Sequence, residues 1–336
     1  MGLQKKAFMG QKKKIEILSP ADSVYEAEIL IEAGATSLYC GVFPSYFQQY
    51  PYFLSPNQRT FREAQMDEKE LFKVSEICKK NDVPLYITIN QNYFLEEQIP
   101  LIIRLAQDAE TIGINGFIMG SIPLMLHLKD AGIKTPIIAS TMAVVLNRYT
   151  AQFYKEMFNI RKITLPRSLT IEEIKRIIQN NPDIYFDTFI LIGKCPNIEG
   201  FCGFLHTNPD KIWPCEQVYD INPLYEITEN FKRAKIIQKQ WQGFPRSHGC
   251  GLCAIPELIN AGIRGLKIVG RGSPTSFKKK NVELLIKALE IFEVSNDLNE
   301  ARKKVLNLYK DRFQHECSPF LCYFPEIRAK IFEHEF

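Results

Sequence analysis

Histidine and tryptophan are scarce in this chain, with five and two copies in 336 residues. None of His127, His206, His248, His315 and His334 falls in a His-Glu-x-x-His motif, and none stands beside a serine or cysteine in a recognisable catalytic order. The usual sequence marks of a metalloprotease or a triad hydrolase are therefore missing. No run approaches the roughly 18 uninterrupted apolar residues of a membrane span, so none is expected. The first fourteen residues hold five lysines but no apolar stretch with a small-residue cleavage site. They read as a flexible basic arm rather than a secretory signal, and the expected compartment is the cytoplasm. A net charge of +4 and a pI near 8.4 fall short of the concentrated positive charge of a typical nucleic-acid binder. Nine cysteines, an odd number in a cytosolic-looking chain, argue against a disulfide framework.

What is present is a regular alternation of patterns. Short β-like runs at 15–19, 36–43, 84–90, 115–119, 136–140, 162–166, 184–192 and 265–269 are separated by stretches of helical spacing. Thr170 is the expected N-cap of a helix whose first turn holds Glu172 and Glu173. Eight strands alternating with helices predict an α/β protein, a (β/α)8 TIM-barrel-like fold. Residues 1–13 form the arm and 14–275 the barrel. A cysteine-rich insert, 195–253, lies between strands 7 and 8. Residues 276–336 supply C-terminal helices and a tail containing Cys317 and Cys322.

Active sites of this fold sit at the C-terminal ends of the strands. Arg167, Arg271, Ser140 and Thr141 fall there as candidates for positioning a substrate, the two arginines suiting an anion. A salt bridge and helix capping are their competing roles. The long aromatic loop at 44–66, with Tyr46–Tyr52, Arg59 and Arg62, reads as a lid or as a surface for RNA. Cys195 follows the seventh strand directly, and Cys202, Cys215, Cys250 and Cys253 lie in the insert. Cys250 and Cys253 form a Cys-x-x-Cys at a helix start, which favours thiolate. Four converging thiolates suit an iron–sulfur cluster or tetrahedral zinc, with reduced structural thiols as the third reading. Cys195 with His206 or His248 as base would instead be a thiol peptidase.

The segments ILSPADSVYEAEILIEAGATSLYCGV, IIASTMAVVLNRYTAQFYKEM, LPRSLTIEEI and IPELINAGIRGLKIVGR resemble peptidase family U32, the collagenase-like peptidases, as do the two cysteines following Asp187. Members that the chain resembles hold a 4Fe–4S cluster on four cysteines and hydroxylate ubiquinone precursors or an RNA base without molecular oxygen. Prephenate is the implied oxygen source. The resemblance places the ligands at Cys195, Cys202, Cys215 and Cys250, with Cys253, Cys317 and Cys322 in reserve. It implies an oxidoreductase acting on a small molecule or an RNA base, with a protein partner of the same family. Peptidase activity and a non-catalytic, cluster-bearing or electron-transfer role are the alternatives. The chain departs from the family pattern at Asp187, where Glu is usual, at Leu191, where His is common, and at Val269, where an acidic residue is lost. Cys202 and Cys215 also stand closer together than in the hydroxylases. These departures and the extra cysteines resemble an anaerobe-type subgroup whose reactions are unassigned.

Overall fold

The computed structural model describes residues 15–49, 55–59, 65–195, 198–201, 222, 227–242 and 246–332. Eight parallel strands close into a barrel in sequential order, with β1 paired back onto β8. They are β1 (Glu16–Pro20), β2 (Ser37–Gly41), β3 (Leu85–Ile89), β4 (Gly116–Met119), β5 (Ile137–Ala139), β6 (Lys162–Leu165), β7 (Tyr185–Leu191) and β8 (Gly265–Ile268). The expected (β/α)8 barrel is what the chain forms.

The strands read as nearly continuous apolar runs because both of their faces are covered. Leu18, Tyr39, Tyr86, Ile118 and Ile138 make a cluster of their own. Their strand neighbours Ile17, Leu38, Ile87 and Phe117 belong instead to the large core shared with the helices. Alternation along each strand separates the two sets. Cys40 and Cys78 are buried, as their positions in a strand and a helical pattern imply.

Helices α1 (Val24–Glu32), α2 (Glu68–Lys80), α3 (Ile99–Thr111), α4 (Ile122–Asp130), α5 (Arg148–Phe158) and α6 (Ile171–Gln179) connect the first seven strands. Thr170 caps α6 as expected: its hydroxyl accepts from Glu173 N while the Glu173 carboxylate accepts from Thr170 N. Between β7 and β8 lie α7 (Glu229–Gln242) and α8 (Ile255–Ala261). The sequence pattern does not reveal α7, because none of its side chains at 229–240 is fully buried.

Three helices follow the barrel: α9 (Thr275–Val294), α10 (Leu298–Phe313) and α11 (Pro325–Phe332). Lys278 ties α9 to the start of the chain. Its ammonium is buried against Asp22 and Glu26, the latter at 2.6 Å. Among the described residues no helix is long and apolar enough to cross a membrane.

Candidate functional site at the barrel mouth

The mouth is shaped by how the chain leaves β7. Ile192 and Gly193 both adopt left-handed conformations, φ 50° and 76°, and deliver Lys194 and Cys195 to the C-terminal face. A β-branched residue resists that conformation, so the surroundings must hold it. They do so from two sides. Ile192 N donates to Gly249 O at 2.9 Å, and Ile192 O accepts the Tyr323 hydroxyl.

Three distant segments meet here. Leu191 bridges Cys250 in antiparallel fashion, and Cys250 bridges Cys322 in parallel. Gly251 N donates to Ile190 O, Cys250 N to Leu321 O and Tyr323 N to Cys250 O, at 2.9–3.0 Å. Lys194 Nζ clamps the tail by donating to Cys322 O at 2.8 Å. Gly249 is packed so closely that a Cβ there would lie 2.9 Å from Lys194 N. The tail thus returns to the insert, as its cysteines suggest.

Cys195 and Cys250 are therefore carried on adjoining segments at one corner of the mouth. Cys202, Cys215 and His206 lie outside the described residues. Behind Cys250, Cys253 donates to the Cys322 sulfur. That bond, with the Phe324 amide and the cations Lys194 and Arg328, holds Cys322 below the usual thiol value despite its burial. Cys253 is pushed up as the donor, and burial pushes Cys250 up. Burial at Cys250, and at Cys253 the hydrogen bond to Cys322 followed by burial, oppose the thiolate expected at a helix start. No group of three or more His, Cys, Asp or Glu among the described residues is gathered around a metal position. His248 Nδ1 meets His315 Nε2 at 2.5 Å, with the rings stacked.

The two arginines are already occupied. Arg167 bonds Glu199 Oε1 at 2.5 Å and lies 3.7 Å from the centroid of Phe189, while its Nε is buried without a partner. The insert is thereby anchored to the mouth. Gly200 completes that anchor, since a Cβ there would fall 1.9 Å from Val144 Cγ2, and Asn92 donates to Gly200 O at 3.4 Å. The neighbours of those two contacts, Tyr93 and Phe201, are 50% and 72% exposed.

Arg271 donates to Thr88 Oγ1 at 2.7 Å, Asn57 Oδ1 at 3.1 Å and Asn57 O at 2.7 Å, pinning the segment 55–59 to β3. Ser140 accepts from Met142 N, the capping role, and Thr141 is buried beside it. The loop aromatics Tyr46 and Phe47 are buried rather than presented to a ligand. Arg62 and residues 50–54 lie outside the described residues.

Charges inside the barrel escape sequence reasoning. Lys162 pairs with Glu16 at 2.6 Å and stands 3.6 Å from Asp187, whose oxygens make no hydrogen bond. Burial raises the Asp187 carboxyl above its ordinary value, and Lys162 and Lys267 oppose that rise. A cavity of about 450 Å³ at the N-terminal end of the strands is lined by Glu16, Tyr86, Lys162 and Tyr185 among others. The signal available was a lysine or acid at an inward position of an apolar strand.

Fold and site together define a (β/α)8-barrel protein with a thiol-bearing mouth. A model described as Peptidase family U32 matches residues 22–329, and the chain belongs to that family. Similar proteins include a collagenase of Porphyromonas gingivalis, 24% identical over 270 residues, covering 76% of this chain and 61% of that one. Another is tRNA hydroxylation protein P of Helicobacter pylori, 28% identical over 196 residues, covering 56% of this chain and 42% of that one. The chain thus spans less than two thirds of either relative. Among solved structures, the U32 peptidase Mk0906 aligns with a TM-score of 0.48 and 12% identity, over 79% of this chain and 96% of that one.

Proposed function

We propose that this chain is an iron–sulfur oxidoreductase of the U32 family that takes part in oxygen-independent hydroxylation of an RNA base or a small molecule. The observation that carries the reading is the convergence of Cys195 and Cys250 on adjoining segments beside the mouth. Their all-sulfur donor chemistry fits a 4Fe–4S cluster, with Cys202 and Cys215 as the remaining ligands. Such a group supplies one-electron or Lewis-acid chemistry when bound; zinc on the same thiols is the alternative.

The protein's own part is to hold and shield the substrate. The exposed rings of Tyr93 and Phe201 offer stacking faces for a base. Arg167 at the mouth is held by Glu199, which an anionic co-substrate would displace to reach the guanidinium. A relative named for tRNA hydroxylation supports the nucleobase over a small metabolite. A second chain of the same family is the expected partner. The peptidase reading rests on the collagenase relative. His248, one of its two candidate bases, is turned to His315.

Anaerobic purification followed by iron and acid-labile sulfide counts tests the proposal. Equal iron and sulfide, lost on Cys195→Ser and Cys250→Ser, is the expected result. A colourless protein with stoichiometric zinc would overturn the cluster. Cleavage of gelatin by iron-free protein would overturn the choice against a peptidase.

A further inference from the structure

The outer wall of the barrel carries an apolar face that the mouth chemistry does not use. Helix α5 already buries Ala151 and Tyr154. On its opposite side Tyr149, Phe153 and Met157 recur every four residues and stand 66%, 41% and 44% exposed. A helix that only covers a barrel needs one apolar stripe, and α5 has two. The neighbouring α4 extends the outer one. Ile122 and Leu126 are exposed on it, and Lys129, a turn further along the same side, reaches across to donate to Met157 O at 3.1 Å. Together these five apolar side chains leave about 500 Å² of surface exposed, towards the upper end of what a monomer shows in one patch. With the polar residues beside them the face approaches the roughly 800 Å² that each partner brings to a stable interface.

The charges beside the stripe point to what covers it. Arg148, Gln152 and Glu156, all exposed, run along one flank of Tyr149, Phe153 and Met157. The bonded partners of the two charges are themselves uncharged. Arg148 donates to Asn180 Oδ1 and to the Tyr149 hydroxyl and lies over the Tyr149 ring, while Glu156 accepts from Gln152. The flank begins with a cation and ends with an anion, so it is complementary to its own reverse. An antiparallel two-fold axis passing near residues 152 and 153 lays Phe153 on Phe153 of a second copy, and Tyr149 on that copy's Met157. Equivalent flanks meet across such an axis, which brings Arg148 of each copy to Glu156 of the other.

We infer that α4 and α5 form the docking face for a second copy of this chain, giving an antiparallel homodimer with Phe153 at its centre. The two mouths then open in opposite directions, and neither is covered. The contact gives a place to the same-family partner of the function proposed above and in that respect rests on that reading, but it involves no cysteine and no iron.

Sedimentation equilibrium of the full chain in reductant, across a dilution series centred on about 10 μM, tests the inference. The expected mass is twice the 38.8 kDa of one chain. Phe153→Glu sets two carboxylates against each other at the centre and should leave a monomer throughout the series. Arg148→Glu faces like charges and should weaken the dimer at least about tenfold, and adding Glu156→Arg should restore it to within about threefold of the parent. A parent chain that sediments as a monomer leaves the face to a different protein and overturns the inference. A dimer indifferent to Phe153→Glu lies elsewhere on the molecule and overturns the face. A double variant as weak as Arg148→Glu alone overturns the antiparallel arrangement. If Phe153→Glu does not fold, the charge reversal and its rescue still decide. Iron content enters none of these readings, so a monomer leaves the cluster standing and a colourless dimer leaves the docking face standing.

Discussion

At the scale of single residues, Gly200 and Arg271 hold neighbouring segments to the mouth. Gly200 faces Val144 and Met142 so closely that any Cβ collides with backbone as well as side chain. Gly200→Ala is expected to destabilise the fold by about 1–3 kcal/mol, or to lift the insert off the mouth. Urea unfolding measures the first, and faster amide exchange at 198–201 reports the second. Arg271 distributes one guanidinium over three acceptors. A lysine keeps the charge but cannot span that fork. Arg271→Lys should cost about 1–3 kcal/mol and speed amide exchange at residues 55–59. Sequence position marked Arg271 as a candidate for holding substrate; the structure adds that it pins residues 55–59 to β3.

Elements beyond the barrel bring a pH dependence. His248 joins the insert to α10, stacked on His315 and packed against Phe313, with its carbonyl accepting from Tyr309. Burial, with His315 and Arg312 nearby, pushes the His248 imidazole down to about 4. The folded protein therefore resists a proton that the unfolded chain accepts near 6.5. The contribution is complete above that value and is lost as pH falls towards about 4. Thermal melts from pH 7 to pH 4 should show this decline, and it should shrink in His315→Gln, where the neighbouring imidazole is gone. The α10 helix itself was legible from its spacing. Its pairing with residue 248 was not, because periodicity along one segment carries no information on which distant segment it meets.

Across the whole molecule, barrel closure depends on charge as well as apolar packing. Glu16, Lys162 and Asp187 come from β1, β6 and β7 and meet inside. Lys162→Met leaves two carboxyl groups buried without their cation, and a loss of about 3–5 kcal/mol in denaturant unfolding is expected. The alternation that announced eight strands is local chemistry, and the eight strands stand where the sequence places them. The ionic column arises from three strands meeting across the axis, so no stretch of sequence displays it. The same holds for the corner at Cys250. Its membership in a Cys-x-x-Cys is visible in one line of sequence, whereas its bridges to Leu191 and Cys322 exist only after closure.

That corner also has a place in time. Contacts joining segments so far apart in the chain carry a large loop-closure cost and form late in folding. Leu191 and Cys250 can be in position while the tail is still being synthesised, but Lys194 and Tyr323 cannot make their bonds until residue 323 has emerged. The strained turn at Ile192 is then a latch set by the last part of the described chain, and a nascent barrel would present Cys195 in a looser setting than the finished one.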